Sequence, residues 1–148
     1  MRYEDKGEVH KDFHLATNRT AAYILGRYGE AFLRELFRRT AQFVYKDLYD
    51  SLCSGDTGPL LEHWQYYYER ENGKFEIIRN GETINFHVIH CPAVGHLKSR
   101  GAKIEDSFYA HIRLLNDGWS EGSPFVIETN IMGEDEYSMI IRRRHAAE

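Results

Sequence analysis

Residues 85–101 read NFHVIHCPAVGHLKSRG and hold the side chains best suited to chemistry. An alternating strand runs into Cys91-Pro92, flanked by His87, His90 and His96 and followed by Lys98 and Arg100. A cysteine at a strand-to-helix junction meets backbone N–H groups without helical partners, which favour anions and thiolates. Cys91 can therefore be a nucleophile or a metal ligand; the plainer reading is a small buried hydrophobe at a strand end. His90 shares a strand face with Ile84, Phe86 and Val88, so it belongs to the core or to a pocket wall. His87 points the other way, into solvent. His96, on the next element, can face back to the strand end. None of these has zinc-site spacing, so no metal ligand is assigned and a divalent metal is left open. His10 and His14 (HKDFH) are four apart, but Asp12 lies on the wrong side to complete a site, and the pair reads as a surface pair.

A second candidate region is the turn-rich stretch 116–122 (NDGWSEG), in which Trp119 walls a pocket or packs over the sheet edge. His111 and Arg113, on the preceding helix, can reach such a pocket. Glu128 and Asn130 lie on a solvated strand face, and Trp64, Tyr67 and Tyr68 read as core. The sequence carries no glycine-rich phosphate loop, nucleophile elbow or dinucleotide fingerprint.

Periodicity supplies the elements that must position these groups. Apolar residues at helical spacing predict helices over 17–28, 30–52, 58–71, 93–99 and 105–115. The second carries one stripe, Leu33, Leu36, Phe37, Thr40, Phe43, Val44, Leu48 and Leu52. Gly29 ends the first, and Thr57 with Pro59 opens the third. Two-residue alternation predicts strands over 74–79 and 83–90 around Asn80-Gly81, a strong hairpin signal, and over 124–131 and 137–143 around residues 133–136. The expected fold is α+β: a four-stranded antiparallel sheet made of two hairpins, with about five helices packed mainly on one face, in a single domain over 1–148.

Composition bounds the function. The 148 residues are 42% hydrophobic and 28% charged, as in a soluble globular chain. Ten Tyr and eight Phe favour a ring-lined core or pocket. A net charge of −4 gives no support to nucleic-acid binding, and the basic run Arg142, Arg143 and Arg144 reads as a solvated strand end. Two cysteines suit a reducing compartment. No apolar run is long enough for a membrane helix, and the charged first residues have no signal core, so a cytoplasmic protein is expected.

Cys91-Pro92 after a strand, WSEGSPF at 119–125 and DFHLATN at 12–18 together resemble the L-2-amino-thiazoline-4-carboxylic acid hydrolase family. The resemblance covers nearly the whole chain in element order, and that order is also similar to vinyl-reductase-type ligand-binding domains. The family name implies hydrolytic opening of a thiazoline ring to N-carbamoyl-L-cysteine. Two further cysteines of the family pattern are replaced here by Tyr109 and Tyr137, which points to a changed substrate or a binding role. The resemblance thus implies hydrolysis of a C–N bond in a cyclic amidine. Cys91 would be the nucleophile or an orienting thiol, His96 or His111 would carry protons, and Lys98 or Arg113 would pair with a substrate carboxylate. The alternative is a non-catalytic small-molecule binding domain with an aromatic pocket from Tyr109, Trp119 and Tyr137. A third reading, compatible with both, is a homo-oligomer paired through the last hairpin.

Overall fold

The computed structural model of the chain describes residues 11–144. The helices are α1 (Asp12–Tyr28), α2 (Glu30–Arg39), α3 (Lys46–Cys53), α4 (Gly58–Arg70), α5 (Pro92–Ser99) and α6 (Asp106–Ser120), with a π-helical turn, Thr40–Val44, between α2 and α3. The strands are β1 (Lys74–Asn80), β2 (Thr83–His90), β3 (Phe125–Ile131) and β4 (Tyr137–Arg143). They form one antiparallel sheet in the order β1-β2-β4-β3, so the two hairpins meet along β2 and β4. The fold class is the α+β plan that the alternating strands and periodic helices predict.

Register decides what the sheet offers the helices. Ile77 pairs with Phe86 and Phe86 with Met139, while Ile84 pairs with Ile141 and Ile141 with Ile127. These rows alternate with exposed Glu76, Ile78, Glu128 and Asn130, so one face is apolar and core-facing. Against it lie Trp64 of α4, whose ring stands 5.4 Å from Phe86, Val94 and Leu97 of α5, and Phe108 of α6. Asn116 fixes α6 above β3 by donating to the Thr129 hydroxyl at 2.8 Å. A smaller cluster, Ala21, Leu33 and Leu114, joins α1, α2 and α6.

The departures from the sequence reading have physical causes. α1 begins at Asp12 rather than 17. Its buried Asn18 donates to the Lys103 carbonyl at 2.8 Å and accepts from the Glu105 N–H at 3.0 Å, which docks α1 on the start of α6. The helix expected over 30–52 is not continuous. The Tyr45 N–H bonds the Thr40 carbonyl at 3.1 Å, an i to i+5 ring that inserts one extra residue. One residue is about 100° of helix rotation, so the expected stripe is interrupted at Phe43 and Val44 and resumes at Leu48 and Leu52, which pack on the core. Phe43 is 70% exposed as a result, while Tyr45, Leu48 and Tyr49 pack on the core.

α6 does not stop at 116–118. Gly118 is interior, and a Cβ there would stand 2.9 Å from the Ala41 Cβ, so this glycine permits close helix packing instead of ending the helix. Trp119 is consequently a buried helix residue and not a loop residue. The first turn of α4 is served by Asp56, whose Oδ1 accepts the Gly58 N–H at 2.8 Å, and Thr57 makes no side-chain cap. The basic run is anchored. Arg142 pairs with Glu128 at 3.0 Å, Arg143 lies 5.1 Å from the Phe125 ring centroid, and Arg144 donates to the Ser120 carbonyl at 3.1 Å. In the last hairpin β4 is interior, so the edge it presents is β3. Among the described residues no helix is long and apolar enough to cross a membrane.

Candidate functional site

A cavity of about 500 Å³ lies between the first turns of α1, the exit of the π turn, α4, the Cys91 junction, α6 and the start of β4. That volume suits a small organic molecule. Its walls are mainly aromatic, with Tyr45, Trp64 and Tyr67 on one side and Phe13 and Phe108 on another.

One corner is built by sulfur and phenols. Cys91, the residue before α5, has extended backbone (φ −80°, ψ 113°), with its N–H given to the Asp135 carbonyl at 2.9 Å and Pro92 as first helical residue. Tyr137 donates to Cys91 Sγ at 3.8 Å. Its hydroxyl also bonds that of Tyr68, and either hydroxyl can be the donor there. Cys91 is only 2% exposed. Burial pushes its thiol up, and the Val94 and Ala93 backbone N–H groups and the Tyr137 hydroxyl oppose this without reversing it. The helix start is therefore there to favour a thiolate, but desolvation outweighs it. Burial likewise raises Tyr68 and Tyr137. All three groups are neutral at physiological pH.

The other end is polar. α4 closes tightly, with the Gly73 N–H on the Tyr68 carbonyl at 2.7 Å and Asn72 at a φ of 59°. Gly73 has Pro92 and Tyr68 so close that a Cβ would meet both at 3.0 Å. This ending delivers Glu71 to the cavity wall, 5% exposed, where its Oε2 meets His14 Nε2 at 2.6 Å. The His14 ring packs on Phe13, 4.0 Å between centroids. Arg70 also lines the cavity. His111, from α6, faces it as well. Burial pushes its imidazole down to about 4, helped by nearby His14 and partly opposed by the Phe108 carbonyl. Its Nδ1 is buried and makes no well-formed hydrogen bond.

Of the catalytic and substrate-binding candidates, Cys91, His111 and Tyr137 share this cavity; Trp64, Tyr67 and Tyr68, expected in the core, line it too, and so does His14, which is not the surface residue expected but 12% exposed against Glu71. Trp119 stands behind the wall, its ring 5.7 Å from Tyr45 and 6.2 Å from His63. His96 lies behind His14, 6.3 Å between ring centroids, and 3.4 Å from Asp12. Tyr109 does not line the cavity; it is half-buried against the core and donates to the Glu134 carbonyl at 2.5 Å. Lys98 pairs with Glu134 at 2.5 Å, and Arg113 is exposed, so neither lines the cavity; the cation on the wall is Arg70. His90 and His87 bond Asp135 and Glu136 at 2.8 and 2.9 Å, so His87 is not free in solvent. His10 lies outside the described residues. Among those residues no group of three or more His, Cys, Asp and Glu is placed to hold a metal ion.

Sequence reasoning misses the roles of His14, Tyr45, His63, Arg70 and Glu71 at this cavity. A signal for Glu71 exists: the stretch HWQYYYERE puts carboxylates at a helix C-terminus, against the helix dipole. Such a local conflict marks a residue held there for another reason. Comparison with family models, curated proteins and solved structures gives no match.

Proposed function

We propose that this chain is a small-molecule binding domain whose ligand occupies the cavity between α1, α4, α6 and β4. The observation that carries this reading is the cavity itself: about 500 Å³, aromatic-walled, with a buried Glu71–His14 pair at one end. Apolar cavities with a few convergent polar groups are the usual form of a ligand site. Cys91, Tyr137 and Tyr68, on the same lining, are hydrogen-bonded to one another and neutral, which suits packing against a ligand better than attacking one. The test is a thermal-shift screen of small planar molecules with the full chain. A ligand that raises Tm in a concentration-dependent way supports the reading, because binding to the folded state alone stabilises it. Absence of any shift at millimolar concentrations counts against it.

A second reading follows the family resemblance, hydrolytic ring opening of a cyclic amidine, in which water adds to the carbon between nitrogen and sulfur, the C–S bond breaks and the sulfur leaves as a thiol. It is favoured by the Cys91 thiol and the carboxylate-supported His14 lining one cavity. Ring opening needs a base and an acid around an sp² carbon. His14, backed by Glu71, is placed for the first role. A thiol kept protonated serves as an acid or an orienting group instead of a nucleophile. Incubation with L-2-amino-thiazoline-4-carboxylate, with and without divalent metal, followed by measurement of new thiol after protein removal, separates the two readings. Release well above the uncatalysed rate, abolished in a folded Cys91→Ala variant, establishes the hydrolase. Binding without release leaves the binding domain.

A further inference from the structure

Glu71 is the only carboxylate among the described residues that line the cavity. Its side chain is 4% exposed. Oε2 is taken by His14 at 2.6 Å, and Oε1 has no hydrogen-bond partner among the described residues. An ionised carboxylate removed from water is costly until both oxygens find donors. Here the protein supplies one donor, to Oε2, and leaves Oε1 to whatever occupies the adjoining space of ligand size. His14 is itself held in place. Its ring packs on Phe13, and Asn18, one helical turn further along α1, docks the helix on the segment before α6.

Resting on the binding reading above, we propose that Glu71 is the ligand anchor and His14 the residue that positions it. The ligand presents an N–H-rich cationic head, an amidinium, guanidinium or ammonium, on a flat apolar body. The head donates to Oε1 in a charge-assisted hydrogen bond, while His14 keeps Oε2. The body meets the rings of Tyr45, Tyr67 and Phe108.

Calorimetry on the full chain tests this with four probes of nearly one shape: benzamidine, benzylamine, benzyl alcohol and benzoate. Benzamidine is expected to bind at least about tenfold more tightly than benzyl alcohol, the scale of a charge-assisted hydrogen bond. Benzoate alone is expected to bind more weakly than benzamidine. Glu71→Gln, nearly isosteric, should bring benzamidine and benzyl alcohol to within about twofold of each other. His14→Phe should lower the benzamidine preference while benzyl alcohol still binds, and His14→Gln, which keeps a donor, should restore part of it; a merely structural role for His14 would weaken both probes alike. Equal binding of benzamidine and benzyl alcohol to the wild-type chain overturns the anchor and leaves the cavity reading standing. Preference retained in Glu71→Gln overturns it too. Failure of every probe to bind at millimolar concentration overturns the anchor and the cavity reading together. The wild-type probe comparison holds even where a variant does not fold.

Discussion

The two ends of the cavity solve the same problem in opposite ways. At both, polar groups are buried. At the Cys91–Tyr137–Tyr68 corner the two phenols bond each other, Tyr137 also reaches sulfur, and every group is held in its neutral form by burial. At the Glu71–His14 end an acid and an imidazole face each other, and one carboxylate oxygen is left over. The first arrangement is closed and adds to packing. The second is open and asks for a partner. Burial alone does not make a site; an unmet hydrogen-bonding capacity does.

The largest expected effect concerns the imidazole between the two ends. His111 is pushed down to about 4 by burial, against an ordinary value of 6.5. The unfolded chain takes up this proton first, so the folded state is favoured fully above pH 6.5 and progressively less as pH falls toward 4. The loss over that window is about 3 kcal/mol for this residue. Urea denaturation at pH 7, 5.5 and 4 should give a steeper decline for the wild type than for His111→Gln. Equal slopes would mean that the cavity is wetter than its walls suggest.

Next in size is Asn18→Ala. It removes the two hydrogen bonds that dock α1, leaving the Lys103 carbonyl and the Glu105 N–H without that partner, at a cost of about 2 kcal/mol. Because α1 carries His14, the benzamidine preference should fall as well, which ties the open end to the docking of a helix. Stability lost with preference unchanged would separate the two.

The closed corner makes a kinetic prediction. Cys91 is buried with its thiol raised, whereas Cys53 is exposed. Iodoacetamide at pH 8 should modify Cys53 at least about tenfold faster, since the thiolate is the reactive form. Peptide mapping by mass spectrometry reads this directly. Fast modification of Cys91 would erase the contrast between the ends and strengthen the hydrolase reading.

The smallest expected effect is that of Tyr137→Phe. It breaks both bonds of the corner, leaving the Tyr68 hydroxyl without this partner, and should cost about 1 kcal/mol in urea denaturation. Probe affinity should stay within twofold. A large affinity loss would place the phenol in recognition and blur the comparison.

What is legible in the sequence follows the range of the interactions. The hairpin at Asn80-Gly81 is local, and it forms with Gly81 at a φ of 59° and Asn80 paired with Thr83. Sheet-face alternation is equally local. Cys91 stands out because a strand end and a proline mark it. The His14–Glu71 pair joins residues 57 apart in sequence, and no period or motif connects them. Charge and nearness to Cys91 in the chain point Lys98 at the site, but it pairs with Glu134 outside the cavity. The helix from 30 to 52 looks continuous in sequence because a π turn leaves no mark in an apolar count; only the hydrogen-bond ring reveals it.

That turn has a genetic reading. The extra residue at Thr40–Val44 sets the rotation of everything that follows, and Tyr45 is the first residue after it to reach the cavity wall. Loss of one codon there would restore an ordinary helix, swing Tyr45 off the wall and carry a neighbour into its place. The pocket's lining can thus be exchanged by a reading-frame-preserving deletion that takes far fewer mutational steps than a change of sheet or strand, and a helix that tolerates such edits gives this fold a ready route to new ligands.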